Sequence, residues 1–385
     1  MGAVTTLTRT IEELTELART DELTALLNRR GFKEGYVASL ADNVAAYIVC
    51  QNLSPEKQQE FLVDRLQGRS ARQDQLQFVS FLGYDLDDFK DTNDTHGHTV
   101  GDAVLQVAAQ RAGKALRGSD GHLGRLGGEE FAVFLPETNS TGAGVAAERI
   151  RSTIEENTFS VQSAGQRVRL EQKVSIGVAT YDLEGIDTIL GFTLGKEYAG
   201  VQLTNTILTK VDLVKSLLLG SNLFNELALV LYKELAQRAD GALYVAKLTG
   251  KNKVVAYSDE VQEILKQRDT IRTLYATLCL EDEAQKIGKN IAQAQIVANG
   301  PDGIKLSSAL LQEEGFSFLP EYIKGAIITD LGSLNRRKPH QSAYRNRREV
   351  TALADDLYRH IMIDHGDSSG LGQLLTFATR YTTVR

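Results

Sequence analysis

The chain has 385 residues, 42% apolar and 24% charged, which is ordinary for a folded protein and leaves room for two or three domains of ~100–200 residues. Its net charge of −7 argues against general nucleic-acid binding, so a phosphate-bearing substrate would need local cations or a metal to receive it. Two cysteines, Cys50 and Cys279, exclude a disulfide framework and a cysteine metal cluster. With no cationic leader before an apolar run and no stretch of ~18 apolar residues, neither a signal peptide nor a membrane span is expected, and a reducing, cytoplasmic setting fits.

Taken in chain order, residues 4–19 predict a short helix, with Leu7, Ile11, Leu14 and Leu17 at three- and four-residue steps. It would pack on its own domain or form a short coiled contact between subunits. A second helix is expected from about Thr20 to Ala46. The polar stretch 51–76 reads as a surface excursion, with Pro55 at a helix start. Gln77–Tyr84 reads as a buried strand leading into Asp85-Leu86-Asp87-Asp88, followed by a helix over 100–117. Leu123–Arg125 and Phe131–Leu135 flank Gly127-Gly128 as a hairpin. Thr141–Asn157 is a further helix, and Val168–Thr180 is rich in strand formers. Residues 182–230 carry apolar residues but no legible motif. A helix over Leu235–Leu248 and a closing strand over Val254–Tyr257 follow. The remainder is expected to be mainly helical, including Val261–Leu280 and Val350–Ile363.

Two acidic turns stand out, each at the end of a strand: Asp85, and Glu129-Glu130 in the hairpin. Phosphoryl-transfer sites gather carboxylates around Mg²⁺, which neutralises phosphate charge and aligns the displacement. Mg²⁺ needs few protein oxygens, and glycines such as Gly127 and Gly128 let a backbone turn tightly beside a nucleotide. Taken alone, Gly-Gly-Glu-Glu is more often a solvated acidic turn.

Five ordered motifs carry a resemblance to the GGDEF family of diguanylate cyclases over about residues 19–257. Asp21, Leu23, Thr24, Leu26, Asn28, Arg29, Arg30 and Phe32 resemble the family's opening motif. Asp85-Leu86-Asp87-Asp88-Phe89-Lys90, with Asn93-Asp94, Gly97-His98 and Gly101-Asp102, is similar to its second. Arg125 to Phe131 is similar to its signature turn, Ser175-Ile176-Gly177 to a strand, and Ala239 to Asn252 to its closing helix and loop.

The resemblance implies an α+β, palm-like fold: a mainly antiparallel sheet flanked by helices. Asp85 and Glu129, with the Leu86 carbonyl, would bind Mg²⁺ or, in its place, Mn²⁺. Glu129 and Glu130 would act in catalysis. Asn93 and Asp102 would read guanine beside His98, and Lys90, Lys247 and Lys251 would hold phosphates. Position 251 is Lys where the family usually has Arg, which keeps the charge but loses the bidentate fork. Arg117 and Asp120 have the form of the family's product-inhibition site, at a spacing one residue longer than usual. The implied reaction joins two GTP into cyclic di-GMP. One site per chain then calls for a homodimer or higher homo-oligomer, with cyclic di-GMP as product and inhibitor.

A catalytically silent receptor for GTP or cyclic di-GMP is the alternative, but such relatives usually lose the acidic pair or the guanine readers, and all are present here. A palm-class enzyme making another product is the second; Asp102 speaks for guanine. The expected organisation is an N-terminal helix over 1–18, a catalytic domain over 19–257 with insertions near 51–76 and 182–230, and a helical region over 258–385 of unassigned role. Insertion and tail would pack together or mediate self-association, since helices with apolar stripes must bury them, or the tail would be a helical cap with no regulatory role. His340, His360 and His365 read as surface residues. The basic stretch Arg336-Arg337-Lys338 with Arg345, Arg347 and Arg348 reads as a solvated face.

Overall fold

The computed structural model describes residues 14, 16–66, 76–116, 121–156, 158–163, 166–192, 196–198, 201–286, 316, 318–335 and 343–383. The expected helix over 4–19 lies outside them except for helical residues 14 and 16–19, and Arg117, Asp120, Arg336–Lys338 and His340 lie outside them entirely. The chain divides into two compact units, Met1–Ser258 and Asp259–Arg385.

In the first unit, α1 (Arg29–Gln51) and α2 (Pro55–Leu66) precede β1 (Phe78–Asp87), α3 (Phe89–His96) and α4 (His98–Ala115). The hairpin β2 (His122–Gly127) and β3 (Glu130–Leu135) leads to α5 (Ser140–Glu155), a small hairpin β4 (Phe159–Ser163) and β5 (Gln166–Leu170), and β6 (Lys173–Asp182). The insertion contains α6 (Ile186–Ile189), β7 (Glu197–Tyr198), β8 (Val201–Gln202), α7 (Asn205–Leu208) and α8 (Val211–Leu219). Then come α9 (Asn222–Leu248) and β9 (Val254–Ala256).

Five strands make one sheet in the order β2-β3-β1-β6-β9, antiparallel except where β9 runs parallel to β6. This is the α+β, palm-like sheet that the motifs implied. β1 is buried along most of its length because helices cover both faces of the sheet. Its side chains alternate between two cores. Val79 and Phe81 join the α1 and α9 side with Phe32, Tyr36 and Phe224, while Leu82, Tyr84 and Leu86 join the α4 and α5 side with Val104 and Ile150.

Three elements differ from the sequence expectations. The second helix starts at Arg29, not near Thr20, because Asn28 caps it: its Oδ1 accepts from the backbone of Arg30 at 3.1 Å and Gly31 at 3.0 Å. The closing helix starts at Asn222, thirteen residues before Leu235, with Ser221 as its cap and Phe224, Ala228 and Leu231 extending its buried stripe. This helix therefore takes in residues 222–230, which the sequence offered as part of an insertion. The insertion's apolar side chains, including Leu183, Ile186, Phe192, Leu208, Val214 and Leu218, are covered by the first unit's own core. Among the described residues no single helix is long and apolar enough to cross a membrane; the apolar pair α8–α9 bends by 85° and contributes to that core.

Charges tie both insertions to α1. Arg65 of α2 pairs with Asp42 of α1 and with Glu137 after β3, and Lys215 of α8 reaches the same Asp42 at 2.9 Å.

The second unit holds α10 (Asp259–Lys286), α11 (Glu321–Asn335), α12 (Ala343–Arg359), a π-helical turn (His360–Asp364) and α13 (Ser368–Thr383). Ile271, Leu274, Tyr275, Ile327, Leu357, Ile361 and Phe377 are buried in it. The Tyr322 hydroxyl donates to Asp367 at 2.7 Å, and its ring lies 4.3 Å from that of His365 and 5.7 Å from that of His360. His360 is thus half-buried in a ring cluster rather than a plain surface residue; His365 is exposed.

Candidate active site

The end of β1 sets the site. Asp85 and Asp87 lie two residues apart on a strand and share one face, opposite the buried Leu86 side chain. In the register with β3, Asp85 stands directly across from Glu130. Glu129 precedes it in the turn, half-buried, while Glu130, Gly127 and Gly128 are exposed. Gly127 and Gly128 have φ of 143° and 55°, in the region that favours glycine, and a Cβ on either would meet open space. The glycines are needed for the backbone path, and they leave that backbone bare.

The opening motif supplies the brace for this turn. The Asp21 carboxylate accepts from the backbone and hydroxyl of Thr24 at 2.9 and 2.7 Å and from Arg125 Nη1 at 3.0 Å. Arg125 Nε donates to the Gly128 carbonyl at 2.9 Å. The Arg125 backbone donates to Leu27 at 2.8 Å, and Arg29 Nε donates to the Leu126 carbonyl at 3.1 Å. Burial opposes charge on Asp21, but the bonds from Thr24 and Arg125 outweigh it and hold the carboxyl below its usual range. Asp21, Leu27 and Arg29 therefore clamp the Gly-Gly hairpin, and the helix opens only at the end of this segment. The sequence showed these residues as motif members without this role.

Asp85 is 8% exposed, and its carboxyl is pushed up to about 6. Burial is the main cause; Lys247 opposes it, and the fields of Glu129 and Glu130 reinforce it. Lys247, near the end of α9, places Nζ 2.7 Å from the Asp85 carboxylate. Lys251 pairs with Asp88, the residue that joins β1 to α3 at a φ of 56°. Two of the three lysines expected at phosphates, Lys247 and Lys251, thus sit on acids at the strand end. Asp87 has a structural task that the sequence did not disclose: it accepts from Ser175 Oγ at 2.7 Å and from the Asn252 backbone at 2.9 Å, anchoring the loop that carries Lys251.

The expected guanine readers lie on α3 and α4, directly after the acidic strand end. Asn93 is half-buried, while Lys90, His98 and Asp102 are exposed. Gly97, at a φ of 83°, makes the turn between the helices. A Cβ on Gly101 would stand 1.9 Å from Asn93 Oδ1, so only glycine lets that amide lie against α4, one residue before Asp102. The structure therefore sets the Asn93 amide against α4 at Gly101, the position next to Asp102 in the chain.

Among the described residues no three His, Cys, Asp or Glu side chains converge closely enough to hold a metal by themselves. Two carboxylates and a backbone carbonyl are a set that suits Mg²⁺, which keeps water and substrate oxygens in its shell. Asp85, buried and within the fields of Glu129 and Glu130, makes this strand end a place that favours a cation.

Residues 58–190 match the family model described as diguanylate cyclase, GGDEF domain. Diguanylate cyclase A of Treponema denticola is 37% identical over 131 residues, covering 34% of this chain and 34% of the relative. The response regulator PleD of Caulobacter vibrioides is 36% identical over 170 residues, covering 44% of this chain and 30% of the relative. The match spans about a third of the length of these curated relatives. Among solved structures, the coiled coil and GGDEF domain of DgcB from Caulobacter crescentus, in complex with c-di-GMP, aligns with 66% of this chain and 94% of its own, at 22% identity and a TM-score of 0.40.

Proposed function

We propose that the chain, whose residues 58–190 match a GGDEF-domain model, is a diguanylate cyclase that condenses two GTP into cyclic di-GMP and two diphosphates. The observation that carries this reading is the placement of Asp85 opposite Glu130, with the Arg125-braced Gly-Gly turn beside it. That is a buried anionic strand end next to exposed backbone, followed by a helix pair presenting Asn93 and Asp102.

In this reading Asp85, Glu129 and the Leu86 carbonyl hold the metal. Bound Mg²⁺ would neutralise triphosphate charge and polarise the α-phosphate. Asn93 accepts and donates at the guanine edge, and Asp102 accepts from its N1–H and amine, with His98 adjacent. Lys247 and Lys251, exchanging their strand-end partners for substrate, hold the phosphate tail with Lys90. Glu129 takes the proton from the attacking 3′-hydroxyl, and Glu130 supports the charge that develops. In each transfer a 3′-oxygen–phosphorus bond forms, the bond between the α-phosphorus and the bridging oxygen breaks, and diphosphate leaves. Each site holds one GTP, so two copies of the chain must face one another, and alignment supplies much of the rate. Arg117 and Asp120 are proposed to receive product.

The test is incubation of the full chain with GTP and Mg²⁺ across a range of protein concentrations, with mass analysis of the nucleotides. The linear dinucleotide and cyclic di-GMP are expected from GTP, and no cyclic di-AMP from ATP. Absence of any dinucleotide would overturn the reading and leave a GTP or cyclic di-GMP receptor.

A further inference from the structure

On α1, outside the acidic site, lies a concavity of about 680 Å³ lined by Arg29, Arg30, Lys33, Glu34 and Val37. Its size falls within the range of small-ligand sites. The positions are steps of one, four and eight along a helix, which gathers Arg29, Lys33 and Val37 on one side. All three cations are exposed. The only acid among the described lining residues is already committed: Glu34 accepts from Arg30 at 2.9 Å and from Arg19 at 2.7 Å. Those bonds, that from Arg30 foremost, hold its carboxyl below the usual range, so it stays ionised and paired. Lys33 has no ion-pair partner among the described residues. In a chain of net charge −7, one concavity therefore carries a local cationic excess.

The helix N-terminus does not account for this site, because the Asn28 side chain already caps it. The chemistry comes from the side chains. Arg29 and Arg30 spend Nε on the Leu126 carbonyl and on Glu34 and keep their Nη donors, which suit phosphate oxygens at the rim, and an ammonium group adds a mobile point charge. Aliphatic stems and Val37 supply the walls between them. Arg29 also donates to the Leu126 carbonyl, one residue before the Gly-Gly turn, so the concavity adjoins the hairpin that carries Glu129.

We infer that the concavity lined by Arg29, Arg30 and Lys33 is a binding site for condensed phosphate, either free diphosphate or the phosphate tail of a nucleotide. The inference stands on this concavity alone and does not require that the chain turn over GTP.

The test is site-resolved covalent labelling of lysines in the full chain, read by mass spectrometry with a chelator present, so that no metal-dependent turnover contributes. Inorganic diphosphate is expected to slow labelling of Lys33 in a saturable way while Lys57, on α2, is unaffected. Cyclic di-GMP, which lacks a condensed phosphate, is expected to leave Lys33 unprotected. Protection by GTP as well as diphosphate identifies the nucleotide tail as ligand; protection by diphosphate alone identifies the free anion. In Arg30→Gln, the diphosphate concentration for half-protection of Lys33 is expected to rise roughly 10-fold, the scale of one charge-assisted hydrogen bond. A Lys33 labelling rate unchanged by diphosphate and GTP, or protection by cyclic di-GMP alone, would overturn the inference.

Discussion

Lys247 Nζ lies 2.7 Å from the carboxylate of Asp85, so a buried acid of the candidate site is paired with a lysine from α9. Lys247 opposes the upward push on the Asp85 carboxyl, and removing it would leave a buried charge without its partner. In the proposed function this lysine performs two tasks in turn, as counter-ion and as phosphate ligand. Lys247→Met is expected to lower kcat/KM for GTP by roughly 10- to 100-fold, the range of one or two lost charge-assisted bonds. Steady-state kinetics over a range of Mg²⁺ concentrations checks this; an unchanged kcat/KM would show that the pair has no catalytic consequence.

Glu129→Gln keeps the shape of the side chain and removes its charge. Turnover is expected to fall at least ~100-fold, the scale of a lost general base or electrostatic contribution. The far-ultraviolet circular dichroism spectrum should stay the same, because Glu129 is a half-exposed turn residue. Near-normal turnover would remove Glu129 from the mechanism.

Gly101→Ala puts a methyl group where Asn93 Oδ1 now lies. The amide must swing away, and the expected result is a rise in KM for GTP of roughly 10-fold, one hydrogen bond's worth, with a smaller change in kcat. Competition by ATP should strengthen as guanine loses a reader. An equal KM in both proteins would detach Asn93 from base recognition.

The Asp42 cluster predicts an acid-sensitive attachment of the insertions. Burial opposes charge on Asp42, but bonds from Arg65 and Lys215 outweigh it, so its folded carboxyl lies below the usual value near ~4. A depressed carboxyl stabilises the fold above its unfolded value, and that contribution is lost as pH falls through the lower, folded value. Asp42→Asn is expected to cost about 1–2 kcal/mol at pH 7, between exposed and buried pairs, and to move Tm down by ~2–8 °C. Below pH ~4 the gap between variant and wild type should narrow. Thermal unfolding from pH 3 to 7 measures both; a constant gap would assign the loss to packing instead of charge.

By itself the sequence picked out the candidate residues and the alternation that puts Asp85 at a strand end. Val79 and Phe81 against Leu82 and Tyr84 mark a strand buried on two faces, and the spacing from Asp85 to Asp102 and from Arg125 to Phe131 carries the family resemblance. Those signals are local: they depend on side-chain period and on residues close together in the chain. The tertiary structure decided what bridges long separations. Asp21 meets Arg125 across 104 positions and Asp87 holds Asn252 across 165, and neither pairing leaves a trace in periodicity. Gly177 is a plain strand glycine in sequence, yet a Cβ there would meet the Ala239 carbonyl at 1.9 Å, so it is what lets α9 lie on the sheet. The start of α9 and the cover of the insertion depended on the same long-range packing. An apolar stripe declares that it must be buried, but the partner that buries it is chosen by the fold.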